Sequence, residues 1–226
     1  MFVFKQNTEE LTESINFLNA VENQTSTTLG DLGEAIPKAG PVIQQLGGDV
    51  KDLALYLTAM REGGINASEG ANALKSGLAS LINPTKQTVG MMSDFGIDVM
   101  GMVAKNTGDT TGLLTDLQKA LDSLDPLSKA RAMEQMFGKF QFARMSALLN
   151  NLGKEGSQTL QVMELMKAST SDLAGIAERE LGMITESASG KYKRAMESLK
   201  ASLADIGEDF LPIATIIIND LSKIFR

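Results

Sequence analysis

The chain has 226 residues and contains no histidine, cysteine or tryptophan. These absences exclude Ser-His-Asp and Cys-His catalysis, imidazole or thiolate metal sites, iron–sulfur clusters and disulfide bonds. The formal net charge is −7, from 21 basic and 28 acidic side chains. Because nucleic acids and anionic membranes attract clustered positive charge, we expect no specific nucleic-acid binding.

The composition favours an all-α fold. The chain has 13 methionines beside many alanines and leucines, but only 9 phenylalanines and 2 tyrosines, whereas strands favour β-branched and aromatic residues. The longest apolar stretch runs from Phe210 to Ile218 and includes Pro212 and Thr215. A membrane-spanning helix needs about 20 apolar residues, so no transmembrane segment is predicted in this chain.

The first two-thirds of the chain is predicted to form a compact array of short helices separated by glycine or proline. Apolar residues recur there at helical spacing, and polar residues suited to N-caps precede them. The candidate caps are Asn7, Thr28, Asp49, Ser68, Asn83 (followed by Pro84) and Asp125 (followed by Pro126). Pro37 is expected to interrupt the helix after Thr28, with Pro41 as the first residue of the next helix.

Residues 97–109 have the weakest helical pattern. The segment from Val99 to Val103 fits either a short extended segment or a loop. Most methionines share helical stripes with leucine and are expected to fill the core. The pairs Met91-Met92 and Met100-x-Met102 are the candidates for exposed methionines.

The C-terminal part, residues 190–226, has a different pattern. Apolar residues alternate at spacings of three and four, which predicts a long amphipathic helix that starts an extended, possibly coiled-coil, segment. This seam consists of Tyr192, Met196, Leu199, Leu203, Ile206, Phe210, Ile213 and Ile217. It predicts homo-oligomerisation through the C-terminal helix. An amphipathic helix packed on its own domain fits the same spacing, because periods of 3.5 and 3.6 barely differ over this length.

No catalytic, cofactor-binding or metal-ligating residue is predicted. Gly190-Lys191 is followed by Tyr192 rather than Ser or Thr, so it does not form a phosphate-binding loop. Carboxylate pairs such as Glu9-Glu10 are expected on solvated helix faces, since 28 acidic side chains produce such pairs by chance.

Three linked stretches carry a family resemblance. They run from Ala39 to Gly47 (AGPVIQQLG), from Gly64 to Lys75 (GINASEGANALK) and from Leu81 to Lys86 (LINPTK). Over about residues 20–153 the chain resembles the conserved core of phage tail tape measure proteins. The matching motif residues are Pro41, Gly47, Gly64, Ile65, Ala71, Leu74, Asn83, Pro84, Gly96, Phe137 and Gly138.

The resemblance implies a structural virion protein of a phage or prophage tail and not an enzyme. Such proteins are extended helical chains in the tail lumen that template tube length and leave the tube at DNA ejection. The implied partners are the tail tube protein and tail assembly chaperones, with the bacterial host cytoplasm as the location during assembly. Residues 1–189 would form the helical core segment of a fragment or shortened form, and 190–226 the start of an extended coil.

Two other classes of function were considered. A cellular helical adaptor that oligomerises through the C-terminal helix would share the seam at 192–217. A peptidoglycan hydrolase would need a catalytic carboxylate within a lysozyme-like or peptidase pattern, and the sequence contains neither pattern.

Overall fold

The computed structural model describes residue 4, residues 6–169, residues 172–173 and residue 197. These residues form ten α-helices and no strand, which confirms the predicted all-α class. The helices are α1 (Thr8–Gln24), α2 (Leu29–Gln45), α3 (Val50–Glu62), α4 (Ala67–Ile82), α5 (Lys86–Asp94), α6 (Val99–Lys105), α7 (Thr110–Asp122), α8 (Pro126–Phe137), α9 (Phe142–Asn151) and α10 (Gln158–Leu165).

Helix α3 lies at the centre of the described part of the chain. Every residue from Leu53 to Met60 is buried, so this helix is covered on all sides and not along one stripe. Helices α1, α2, α4, α9 and α10 pack around it. One apolar core cluster extends from Leu11 in α1 to Leu173.

Helices α2 and α4 make the most extensive contact in the described region. Small residues on α4 let its other neighbours approach closely as well. A Cβ atom added at Gly70 would lie 3.1 Å from the Met60 sulfur of α3, and one added at Gly77 would lie 2.7 Å from the Met145 sulfur of α9. Helix α4 therefore holds three helices together because glycine occupies two of its contact positions.

Four of the predicted N-caps are confirmed. The backbone N–H of Asn7 donates to Glu10 and that of Glu10 to the Asn7 side chain, which is a capping box. Thr28 and Asp49 cap α2 and α3 with the same reciprocal arrangement. Asp125 caps α8, whose first residue is Pro126.

Two predicted caps are wrong by two residues. Asn66, not Ser68, caps α4, because its extended backbone directly follows the turn at Gly64 and its side chain accepts the Glu69 N–H. Thr85, not Asn83, caps α5.

Asn83 instead ends α4, where its N–H donates to Ala79. Pro84 disfavours the helical conformation for the residue that precedes it, so Asn83 leaves the helix. Pro84 then lies between the two helices, and the side chain of Thr85 accepts the Thr88 N–H that opens α5.

The predicted interruption of α2 is also wrong. Both Pro37 and Pro41 lie inside the continuous helix Leu29–Gln45, and both are exposed. Each proline removes one backbone hydrogen bond, but the buried face of the helix, which includes Ile36 and Ile43, keeps the chain helical by packing.

The segment 97–109 contains helix α6 and not an extended segment or loop alone. Asp98 caps this helix by accepting the Gly101 N–H at 2.9 Å, and Val99 is its one buried side chain. Its short length and its two glycine-bounded ends explain why the sequence pattern was weak there.

Candidate functional site

The motif residues on which the predicted family resemblance rests lie in turns, in the core and, for Pro41, at an exposed position of α2. Gly47, Gly64 and Gly96 each have positive φ directly after a helix end. At the second of these turns, the Ile65 N–H donates to the Met60 carbonyl and the Gly64 N–H to the Arg61 carbonyl, which is a Schellman motif. These glycines therefore set the direction in which one helix follows another.

The remaining motif residues are spread over the fold. Ala71, Leu74 and Phe137 are buried in the core, Pro41 is exposed on α2, and Asn83, Pro84 and Gly138 lie between helices. The structure does not bring the motif residues together in one cleft. The seam residues predicted for oligomerisation, from Tyr192 to Ile217, lie outside the described residues.

The most connected polar site is the C-terminal end of α3, where four parts of the chain meet. The carboxylate of Glu62 accepts hydrogen bonds from the Gln158 N–H at 2.7 Å and the Thr159 N–H at 3.0 Å. The Thr159 hydroxyl donates to the same carboxylate. Glu62 therefore caps the N-terminus of α10 from a different helix, where a negative charge is favoured by the helix dipole.

The same end of α3 contacts α9 and the α1–α2 loop. The Asn151 side-chain amide donates to the Ala59 carbonyl at 2.9 Å, a carbonyl in the last turn of α3. Ser26 donates both its N–H and its hydroxyl to the Gln158 side chain, at 2.7 and 2.9 Å. We call this set of contacts, made by Ser26, Ala59, Glu62, Asn151, Gln158 and Thr159, the α3 junction.

Two buried hydroxyls and one half-buried carboxyl group extend the α3 junction toward α2. The hydroxyls of Thr27 and Thr58 are 2.8 Å apart and buried. Glu22 accepts the Leu29 N–H at the start of α2. Burial raises the pKa of Glu22, although this hydrogen bond acts in the opposite direction.

A second polar cluster lies near the N-terminal end of α3. The Thr111 hydroxyl donates to the Asp52 carboxylate at 2.7 Å and is 3.0 Å from the Tyr56 hydroxyl. Burial raises the pKa of Asp52, against the hydrogen bonds from Asp49 and Thr111, and it raises the pKa of Tyr56 well above its usual value. This cluster joins α3 to α7.

The chemistry of these two clusters is that of helix connection. Their carboxylates accept backbone or hydroxyl hydrogen bonds at helix ends. Within the described part of the chain, no group of three or more acidic side chains is placed to hold a metal ion. In the carboxylate pair Glu9-Glu10, the Glu10 side chain accepts the Asn7 N–H in the capping box of α1.

Few large apolar side chains are exposed among the described residues. They are Val89, Met100, Leu127 and Phe140. Of the four methionines considered for exposure, Met100 is exposed, Met92 is buried, and Met91 and Met102 are half-buried. Among the described helices, none has the length and apolar character that crossing a membrane requires.

No residue of the α3 junction was predicted from the sequence. Glu62 and Gln158 are separated by 96 positions, and neither lies in a motif or at an unusual spacing. The neighbouring Ser157 is a residue type that favours helix N-caps, and it precedes the apolar residues of α10. Its side chain accepts the Leu160 N–H.

Comparison with known proteins identifies the family. The model for the family described as phage-related minor tail protein matches residues 1–138. The chain belongs to this family. The predicted resemblance to phage tail tape measure proteins is thereby confirmed, and the chain is a phage tail structural protein.

One relative is a tape measure protein of Pneumococcus phage Dp-1. It is 24% identical over 126 residues, which make up 56% of this chain and 11% of that protein. This tail protein thus corresponds to a small part of the relative's length. No solved structure matches the chain.

Proposed function

We propose that this tail protein is a tape measure, or a segment of one, that templates the length and assembly of the tail tube and leaves the tube at DNA ejection. The support is the family match over residues 1–138 together with a relative that is itself a tape measure protein. The role is structural and involves no catalysis. Apart from Pro41, which is exposed on α2, the motif residues are turn or packing residues, which suits this role.

In this proposal residues 1–189 form a compact helical segment and 190–226 begin an extended coil. A helix rises about 1.5 Å per residue, so residue number can be converted into length. The compact segment is too folded to measure length itself, because the ten short helices in its described part turn back on one another. Measurement would fall to extended helical parts of the protein.

The proposed partners are the tail tube protein and tail assembly chaperones. The protein would act in the tail lumen of the virion and, during assembly, in the bacterial host cytoplasm. Homo-oligomerisation would use the seam from Tyr192 to Ile217, whose alternating spacing suits helix pairing.

The proposal is tested in a phage or prophage that encodes this chain. Removal of residues 190–226 in frame should shorten the tail by about 55 Å if these residues follow the tube axis as one helix. Electron microscopy measures tail length, and an insertion of equal length at the same place should lengthen it equally. Tails of unchanged length in both variants would contradict the ruler role.

The genome offers a second test. Genes for tail tube, tail chaperone and baseplate proteins should flank the gene for this chain. Their absence would favour the alternative, a cellular helical adaptor that oligomerises through its C-terminal helix. Both the tape measure and the adaptor proposals use a C-terminal coiled coil. Sedimentation of a peptide of residues 185–226 tests it, since a strictly monomeric peptide would remove that basis from both proposals.

A further inference from the structure

Helix α10 differs from the other helices that surround α3 in how it is connected to the fold. The linker before it contains Gly153 and Gly156, both with positive φ of 76° and 68°. All four residues from 153 to 156 are exposed. Glycine tolerates both signs of φ, so this linker can change direction without steric cost.

The attachment of α10 to the core is in part polar. Its buried side chains are Thr159, Val162 and Leu165. Its N-terminal end is held at the α3 junction by Glu62 and by the contact between Ser26 and Gln158. A helix of eight residues is not stable alone in water, where about 12 to 15 residues are needed, so these contacts decide whether it stays folded.

Helix α9, its neighbour on α3, is held differently. Met145, Leu148 and Leu149 are buried, and a Cβ atom at Gly63 would lie 2.5 Å from the Cβ of Ala147. Such close backbone approach leaves little space between α9 and the end of α3. Local opening favours elements with few buried apolar contacts and exposed connections. Helix α10 buries two apolar side chains, against three in α9, and it follows the exposed linker 153–156.

We propose that α10 is a strap that opens as a unit about residues 153–156 while α1 to α9 remain folded. Glu62 is its latch, because one carboxylate accepts three donors from the first turn of α10. Opening would break the contacts of Glu62, which is itself exposed, and uncover the same stripe of α3 two turns earlier, where Leu55 is buried. The opening itself does not depend on the proposed tail role, but its use does. In a tail, tension on the chain that follows α10 would release this helix before the rest of the core.

Hydrogen exchange of the full chain tests the opening. Amides of residues 161–165 should exchange at least about tenfold faster than those of residues 54–60, because strap opening requires less free energy than global unfolding. Equal protection of α10 and α3 would mean that α10 unfolds only with the whole domain. That result would overturn the proposal.

Glu62→Gln tests the latch. The amide group replaces one acceptor by a donor that faces backbone N–H groups, so α10 exchange should accelerate about tenfold, the scale of a lost charged hydrogen bond. The matched control is Glu164→Gln, the same change at an exposed position of α10, which should leave exchange within about twofold. If E62Q accelerates exchange equally in α10 and α3, or leaves α10 unchanged, Glu62 is not a strap latch.

A chemical bridge tests the same movement by restraining it. The natural chain has no cysteine, so Ser26→Cys with Gln158→Cys places a unique thiol pair where these side chains now meet, and a short bis-maleimide can join them. The bridged protein should exchange α10 amides as slowly as α3 amides, whereas the unbridged double variant should keep the faster rate. Fast exchange in the bridged protein would overturn the strap.

These measurements separate the strap from the tail function. Exchange is read on the isolated full chain and does not depend on any tail partner. If α10 opens in the exchange experiment but removal of residues 190–226 leaves tail length unchanged, the strap proposal stands and the proposed function is contradicted. If the chain sets tail length but its α10 amides are as protected as those of α3, the proposed function stands and the strap proposal is contradicted.

Discussion

Gly47 and Gly96 have nearly the same backbone conformation but different surroundings. Their φ angles are 84° and 74°. A Cβ atom at Gly47 would lie 2.5 Å from the Cα of Gly108, whereas one at Gly96 would have no atom within 4 Å. Gly47 is therefore needed for conformation and for close approach, and Gly96 for conformation alone.

Substitution by alanine should separate these two requirements. Gly96→Ala is expected to lower the free energy of unfolding by about 1 to 2 kcal/mol, the cost of a left-handed conformation in a residue with a Cβ. Gly47→Ala should cost at least about 1 kcal/mol more, because the backbone of the α6–α7 turn must also move. Urea unfolding monitored by circular dichroism measures both, and equal losses would show that the contact with Gly108 relaxes freely.

Asp52 makes the stability of the protein depend on pH. Burial raises the pKa of its carboxyl in the folded state, so the protonated form is favoured by folding. The stabilising contribution of this group is fully present below its unfolded value, about 3.9, and is lost as the pH rises through the folded-state pKa.

Asp52→Asn should remove this dependence. Relative to the natural chain, the variant is expected to gain stability as the pH rises from about 4 to about 7, since the amide has no proton to lose. Glu22 also has a raised pKa, but it is present in both proteins and its effect cancels in the difference. Urea unfolding at several pH values gives this difference, and a value constant across the range would contradict the assignment.

At the scale of the element, α2 shows that packing can overcome two unfavourable residues. Proline inside a helix costs roughly 3 kcal/mol relative to alanine. Pro37 and Pro41 are four residues apart and therefore lie on one face, which is exposed. The opposite face carries eight buried residues, from Leu29 to Ile43. The helix persists because its apolar face outweighs the lost hydrogen bonds.

Replacement of Pro37 by alanine should therefore stabilise the protein. Restoring the backbone donor is expected to raise the free energy of unfolding by about 1 kcal/mol, less than the full cost because proline also restricts the unfolded chain. Pro126 provides the control, since it occupies the first turn of α8, where no intrahelical donor is missing. Thermal unfolding compares the two, and a gain of equal size in both variants would contradict the explanation.

At the scale of the whole molecule, the folded unit is longer than the part that matches the family. The family match ends at residue 138, but Met145, Leu148 and Leu149 of α9 and Val162 and Leu165 of α10 belong to the same core cluster. At about 1.5 to 3 kcal/mol for each buried side chain, these five contribute up to about 7 to 15 kcal/mol. That is as large as the total stability of a typical domain.

Truncation tests where the folded unit ends. A chain of residues 1–138 is expected to lack a cooperative unfolding transition, because α3 and α4 lose the helices that cover them. A chain of residues 1–173 should unfold cooperatively. Thermal melts followed by circular dichroism compare the two, and a cooperative melt of 1–138 would show that α9 and α10 are dispensable for folding.

Much of the helical pattern was predictable because its causes are local. Asn7, Thr28, Asp49 and Asp125 were recognised as caps since a capping side chain acts within three residues of itself. Where two signals competed, the prediction failed: Pro84 pushed Asn83 out of the helical conformation, and Asn66 formed the cap two residues before Ser68. Helix α6 was missed because one buried side chain, Val99, leaves almost no periodicity.

By itself, the sequence determined the all-α class, most helix ends, the family and the absence of histidine and cysteine chemistry. Composition, capping and glycine turns act over a few residues, and family motifs are read directly. Only the tertiary structure decided that α3 is the central helix, that α2 continues through two prolines and that Glu62 holds the N-terminus of α10. These features depend on contacts between residues far apart in the chain, such as Glu62 and Gln158, and local periodicity carries no information about them.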